Sequence, residues 1–186
     1  VKVTELVRCA WATTPDYVAY HDNEWGVPLR GEQALFERMC LESFQSGLSW
    51  LVILRKRENF RAAFAGFDPE QVAAFGDEDV QRLLADSGIV RNRAKIEAAI
   101  ANARAVLELD EPLDDLLWSF APPPRPNPRA MQDVPATSPE SHAMARELKR
   151  RGFKFLGPTT CYALMQATGM VDDHVADCWR AGVAAR

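Results

Sequence analysis

Four residues able to bind a metal lie toward the two ends of the chain. Cys9 and His21 have eleven residues between them, and His174 and Cys178 have three. If the second pair sits on a helix, its i, i+4 spacing puts both side chains on one face. Two thiolates and two imidazoles suit a closed tetrahedral Zn²⁺ site; with no position left for water, the metal would be structural. Such a site would tie the N- and C-terminal segments together. The spacing is not that of a standard zinc finger, and buried or reactive cysteines with two capping histidines account for the same residues. Of the four cysteines, Cys40 and Cys161 lie in apolar helical runs and are expected to be small core residues. Disulfides are not expected in a cytoplasmic chain. His142, on a charged helix, is expected to be exposed.

A second constellation lies in the first fifty residues, where Trp11, Tyr17, Tyr20, Trp25 and Trp50 are five of the chain's eight Trp and Tyr. Glu42 lies among them in sequence, within Leu41-Glu42-Ser43-Phe44-Gln45. Aromatic stacking faces with one carboxylate are what a purine pocket requires: the rings clamp the base and the acid reads its edge. Core aromatics with a surface acid would give the same composition. Glu42 separates the two, because a carboxylate buried in so apolar a stretch needs a partner.

The third candidate is the segment Gly152-Phe153-Lys154-Phe155-Leu156-Gly157-Pro158-Thr159-Thr160 between two helical stretches. Two glycines five apart permit a tight turn with exposed backbone amides. Such amides and a helix N-terminus can hold a DNA phosphate without reading sequence. An ordinary helical hairpin is the alternative. Lys149-Arg150-Arg151 precedes it, and two other basic clusters occur, Arg55-Lys56-Arg57 and Arg91-Asn92-Arg93 with Lys95. Taken alone these clusters read as solvated helix faces, and the net charge of −4 does not favour a nucleic-acid partner.

The elements that must position these residues read as helices throughout. Thr14-Pro15 opens a helix carrying Tyr17, Tyr20 and His21, with a capping hydroxyl and Pro at the first position. Helices are predicted over residues 32–45 and 50–64, separated by Ser46-Gly47, and over residues 93–109. Asp68-Pro69 and Asp77 are read as caps of two short helices, the second ending near Gly88, and Ser138-Pro139 opens a helix to about Arg151. Residues 122–139, with five prolines before Arg129, read as an ordered or mobile surface connection. No alternating apolar run suggests a sheet, so the fold class is all-α. At 186 residues the chain suits one domain, in one or two lobes. No apolar stretch suits a membrane span, and residues 1–8 carry no apolar signal core. The expected location is cytoplasmic, and the opening Val1 suggests a trimmed start.

Taken in order, several blocks resemble one family. They are Arg8-Cys9-Ala10-Trp11, Tyr20-His21-Asp22-Asn23-Glu24-Trp25-Gly26-Val27-Pro28, Leu41-Glu42 with Gly47-Leu48-Ser49-Trp50, and Lys56-Arg57-Glu58-Asn59-Phe60. Gly88-Ile89-Val90-Arg91, Leu117-Trp118-Ser119-Phe120, the hairpin segment, His174 and Cys178 complete the series. This pattern resembles the 3-methyladenine DNA glycosylase I family of bacterial alkylation-repair enzymes over nearly the whole chain. The resemblance implies a helix-hairpin-helix fold, the motif at about residues 140–168, and one structural zinc on Cys9, His21, His174 and Cys178. It implies Glu42 and Tyr20 as the catalytic, hydrogen-bonding partners of the base and Trp50 as its stacking face. Tyr17, Trp25 and Trp11 match the pocket wall. The loop at residues 45–49, with Gln45 and Leu48, would enter the duplex, Leu48 filling the gap left by the flipped nucleotide. Gly152, Lys154, Gly157 and Thr159 would meet DNA at the hairpin. Partners would be double-stranded alkylated DNA with a flipped 3-methyladenine and no membrane, the protein acting as a monomer in the bacterial cytoplasm.

Two features refine the implied chemistry. Bifunctional relatives in the wider superfamily carry a lysine nucleophile where this chain has Thr159, so simple hydrolysis without strand cleavage is expected. Relatives with an iron–sulfur cluster need four clustered cysteines, and this C-terminus has only Cys178. Asp172 stands where the family pattern has Asn; it either caps the helix carrying His174 or takes part in catalysis. Two rival readings remain at the level of sequence. One is a zinc-stabilised protein that binds alkylated DNA without cutting it; the other is a helical interaction protein with a structural metal.

Overall fold

The computed structural model describes residues 6–183, and among them there are helices and turns but no strand. The helices are α1 (Pro15–Asn23), α2 (Glu32–Gln45), α3 (Trp50–Ala63), α4 (Pro69–Ala73), α5 (Asp77–Ala85), α6 (Arg93–Leu107), α7 (Leu113–Trp118), α8 (Pro139–Arg150) and α9 (Pro158–Ala167). Short 3₁₀ turns occupy Ala65–Phe67 and Met131–Asp133. The helix starts follow from local chemistry. Thr14 is extended and its hydroxyl accepts from the Tyr17 amide at 3.3 Å, with Pro15 in the first turn. Asp68 caps α4 through the Glu70 amide at 3.0 Å, and Ser138 and Ser141 cap α8 reciprocally at 3.1 and 2.9 Å. The cap of α5 is Gly76 rather than Asp77; Asp79 reaches back to accept from the Gly76 amide at 3.1 Å.

α2 is the axis of the molecule. Leu35, Phe36, Met39, Cys40, Leu41 and Phe44 are each at most 1% exposed, and the helix packs on α3, α6, α7 and α9. A helix buried on nearly every side carries few polar residues without a reason, so Arg38, Glu42 and Ser43, all buried on α2, each need explaining. α8 and α9 form a helical hairpin. Beyond α9, Gly169 has φ +76° and a Cβ there would lie 2.7 Å from the Pro28 nitrogen, so only glycine lets the backbone at residues 26–28 seat against the end of this helix.

Two further expectations change, and one open alternative is resolved. α7 is a helix not foreseen. Residues 122–139 form an ordered connection, pinned where Asn127 donates to the His174 carbonyl at 3.0 Å and Ala176 donates to the Pro128 carbonyl at 2.8 Å. His174 and Cys178 do not lie on a helix; residues 171–183 run as turns. The amides of this segment are drawn to other partners, Ala176 to Pro128 and Trp179 to the Val7 carbonyl at 2.9 Å, instead of to residues four back. Among the described residues no helix is long and apolar enough to cross a membrane.

Candidate functional site

A cavity of about 260 Å³ opens beside α2, lined by Trp11, Tyr17, Tyr20, Trp25, Glu42 and Trp50 together with Gln45, Met131, Val134, Ala163 and Gln166. Every aromatic residue singled out from the sequence is therefore at one place. Tyr20 lies on α1 and Trp50 in the first turn of α3; their rings are 5.4 Å apart and tilted by 45°. Trp11 meets Tyr17 edge-on at 5.5 Å and Trp25 at 5.2 Å. Tyr17 also ties α1 to α3, its hydroxyl accepting from the Leu51 amide at 3.0 Å.

The polar chemistry of the cavity is concentrated on α2. Arg38 lies one turn before Glu42 and is itself buried. It donates to the Tyr20 hydroxyl at 2.7 Å and to Glu24 at 3.3 Å, while Arg57 donates to the other Glu24 oxygen at 2.9 Å. Burial opposes the charge on Arg38, but Tyr20, Glu42 and Glu24 hold its pKa above the ordinary value. Burial likewise pushes the Tyr20 phenol up, against the pull of Arg38. Ser43 is satisfied by the Met39 and Phe155 carbonyls. Glu42 is different. It is 5% exposed, burial drives its pKa up to about 7 with Arg38 pulling the other way, and no donor among the described residues bonds its carboxylate. An acid held this way at an aromatic cavity is disposed to receive a donor from an electron-poor planar ring.

Behind the aromatic wall lies the cysteine and histidine cluster. The ligand atoms of Cys9, His21 and Cys178 lie within 4.8 Å of one another, all buried. His21 Nε2 is 3.4 Å from Cys178 Sγ; a tetrahedral Zn²⁺ with its usual bond lengths would separate such atoms by about 3.5 Å. His174 stands beside this trio, its ring centroid 5.0 Å from that of His21, and its buried Nε2 bonds nothing among the described residues. Each histidine has its Nδ1 on a carboxylate at 2.8 Å, Asp22 for His21 and Asp172 for His174, the support that metal-bound imidazoles ordinarily have. Burial raises the Cys9 thiol to about 12, so it would ionise only with a cation beside it. The donor set thus fits a zinc ion. Asp172 lies outside the aromatic cavity. Its other oxygen accepts from the Gly182 amide at 2.7 Å, so the side chain braces the His174 turn, with no helix there to cap.

Tyr20 and His21 show how one helix serves both places. Adjacent residues on α1 point about 100° apart, so Tyr20 enters the cavity while His21 joins the cysteines. Trp11 and Trp25 line the cavity and also touch His21 at 5.2 Å and His174 at 4.6 Å, respectively. Gly26 completes the joint. It has φ +76°, and a Cβ there would lie 2.7 Å from His174 Cε1.

At the cavity mouth a second hollow is bounded by Glu42, Gln45, Ser46, Gly47, Leu48, Thr159, Thr160 and Ala163. Leu48 is 41% exposed at the tip of the turn between α2 and α3, and Gly47 takes φ +79°. Lys95, buried at the start of α6, donates to the Phe44 carbonyl at 2.9 Å and to the Ser46 carbonyl, holding the C-terminal end of α2. The hairpin differs from expectation in its geometry. Gly152 is left-handed, but Phe155, not Gly157, takes the other positive φ. Gly157 is an extended N-cap with open space around its Cα. The amides of Gly157, Thr159 and Thr160 bond nothing among the described residues. Lys154 has its amide on Asn102 at 2.7 Å. The basic clusters are mostly neutralised: Arg55 pairs with Asp16, Arg57 with Glu24, and Arg151 with Asp110, Glu111 and Glu147. Cys40 and Cys161 are core residues and His142 is exposed, as expected.

Arg38, Met131, Val134, Ala163 and Gln166 were not foreseen. Arg38 was legible in principle, being polar and one turn from Glu42 on the apolar face. The others reach the cavity only through tertiary packing.

A model of the methyladenine glycosylase family matches residues 11–181. The chain is 50% identical over 179 residues to DNA-3-methyladenine glycosylase 1 of Escherichia coli (strain K12), covering 93% of this chain and 96% of that protein. Its fold is similar to a crystal structure of 3-methyladenine DNA glycosylase I with a TM-score of 0.90 and 49% identity, over 93% of this chain and 98% of that one. A structure of the Staphylococcus aureus 3-methyladenine DNA glycosylase I, solved for its recognition of 3-methyladenine, aligns with a TM-score of 0.88 and 37% identity, over 92% and 95% of the two chains. The all-helical fold of this chain matches those structures over nearly its whole length. The chain belongs to the methyladenine glycosylase family.

Proposed function

We propose that this protein is a monofunctional DNA glycosylase that hydrolyses the N-glycosidic bond of 3-methyladenine in alkylated DNA, leaving an abasic site for base excision repair. One observation carries the reading: Glu42, a buried carboxylate without a hydrogen-bond partner among the described residues, lies within a cavity walled by Tyr20, Trp50 and three further aromatic rings. Methylation at N3 puts positive charge on the purine, so the glycosidic bond is already weak and the leaving base needs no strong acid. The work of the enzyme is capture. The nucleotide swings out of the duplex, Trp50 stacks on the base, and Glu42 accepts a hydrogen bond from it. The Tyr20 hydroxyl, which accepts from Arg38, keeps its own proton to donate to a ring nitrogen. Water attacks the sugar, and the pocket favours the state in which charge passes from base to sugar.

The surrounding surface supports the same reading. Leu48, exposed beside the mouth, fills the space the flipped nucleotide leaves, with Gln45 next to it. α8 and α9 serve as a helix-hairpin-helix element in which Gly152 makes the turn, the free amides at Gly157, Thr159 and Thr160 hold a phosphate, and Lys154 adds charge. Thr159 offers no amine, so no Schiff base forms and the strand is not cut. Cys9, His21, His174 and Cys178 hold one structural zinc. Through these four residues a zinc ion would link the N-terminal segment at Cys9 to the C-terminal segment at Cys178 and hold the histidines that Trp11 and Trp25 touch. Methylated duplex DNA tests the whole proposal. Free 3-methyladenine should appear well above spontaneous depurination, with breaks only after alkali treatment; release at the spontaneous background alone would contradict it and favour a protein that merely binds alkylated DNA.

A further inference from the structure

Gln166 is the one half-buried polar side chain that α9 contributes to the cavity. Its Nε2 donates to Asp173 Oδ2 at 3.0 Å. Asp173 is 1% exposed; it receives Arg125 on Oδ1 at 2.8 Å and the Tyr162 hydroxyl on Oδ2. A carboxylate already receiving these donors offers only lone pairs, so the Gln166 amide must turn its NH₂ toward Asp173. Its oxygen is then left for the cavity, and that oxygen accepts from no donor among the described residues. The position along α9 indicates what it meets. Thr159 and Thr160 stand at the mouth, Ala163 borders both mouth and cavity, and Gln166 borders the cavity alone. At 1.5 Å per residue, Gln166 sits about 9 Å along the helix beyond Thr160, deep enough to reach the base.

We infer that Gln166 is a specificity-determining residue whose side-chain oxygen accepts a hydrogen bond from the 6-amino group of the flipped purine, with Asp173 as the positioning residue that fixes its orientation. The inference rests on the base-binding reading of the cavity. A 6-amino group has two protons, one for Glu42 and one for Gln166. A 6-oxo purine would instead set its lone pairs against the Gln166 oxygen and, above about pH 7 where Glu42 is ionised, against its carboxylate as well, and this built-in repulsion discriminates more strongly than a lost contact. Asp173 achieves this without touching the ligand.

Free-base binding, read by quenching of tryptophan fluorescence, tests the inference with 3-methyladenine and its 6-oxo counterpart, 3-methylhypoxanthine. The wild-type protein is expected to prefer the amino base. Gln166→Met, similar in length but with no acceptor oxygen, should keep its fold and lose roughly tenfold of that preference. Asp173→Asn should erode the same ratio, because an Asn amide can donate to the Gln166 oxygen and let the side chain present its NH₂ to the ligand. A uniform loss of affinity for both bases would indicate a structural role and overturn the inference, as would a wild-type ratio in folded Gln166→Met. If the wild-type protein itself binds neither base, the failure lies in the base-binding reading, and the two results are distinguishable.

Discussion

Glu42 is unfavourable to the free protein, and that is the physical mark of its role. Its ordinary pKa of 4.5 is carried by burial to about 7, so the native state holds this proton more tightly than the unfolded chain does. The associated stabilisation is full below about pH 4.5 and is lost as pH rises through about 7. Glu42→Gln cannot ionise and should therefore be more stable than the parent at pH 8, by up to about 3 kcal/mol, while capturing the base less well. Thermal melts at pH 5 and pH 8 check this; a variant destabilised relative to the parent at pH 8 would mean that Glu42 has a partner after all. For the parent, kcat/KM on methylated DNA should rise through about pH 7, as the acid ionises to meet a cationic base. At this scale the sequence was informative where a residue was chemically out of place. An acid in an apolar helical run and a concentration of Trp and Tyr both pointed to the cavity. Gln166, Met131 and Val134 carry no such mark, because a glutamine or an aliphatic residue is unremarkable until packing brings it more than eighty residues across the chain to Glu42.

Elements position these residues through a few irreplaceable contacts. Gly26→Ala would force a Cβ to within 2.7 Å of the His174 ring in a backbone conformation that favours glycine. It should lower Tm and metal content together; normal values of both would show that this joint can relax. Lys95→Met removes the ammonium that binds the Phe44 and Ser46 carbonyls, leaving the buried Phe44 carbonyl unpaired at a cost of about 1–3 kcal/mol. Because the damage falls at the end of α2 that leads to Leu48, cleavage of duplex DNA should fall more than binding of free 3-methyladenine. Equal losses would contradict a role in holding the loop. Helix caps such as Thr14, Asp68 and Ser138 were legible because they act on their own neighbours. The segment carrying His174 and Cys178 has helical spacing but runs as turns, because its amides bond to Pro128 and Val7, partners that no local spacing reveals.

For the whole molecule, the segments carrying Cys9 and Cys178 pack against the aromatic wall of the cavity. Trp11 and Trp25 stand between the buried cysteine and histidine cluster and the base site, so the metal proposed there supports the wall from behind. Cys178→Ala should lose zinc and thermal stability together and weaken base binding; full metal occupancy in that variant, measured by elemental analysis, would refute the ligand set. The overall helical class was readable from caps and periodicity, whereas the convergence of the 122–139 connection, α9 and α1 around one cavity depends on long-range docking. The negative net charge gave no hint of a DNA partner, since the phosphate contacts proposed at the hairpin use backbone amides more than side-chain charge. The most direct measurement is a structure of the protein with free 3-methyladenine bound. The ring should lie against Trp50, with its polar edge about 3 Å from a Glu42 oxygen; a ligand seated elsewhere, or a Glu42 carboxylate that makes no contact with it, would contradict the account.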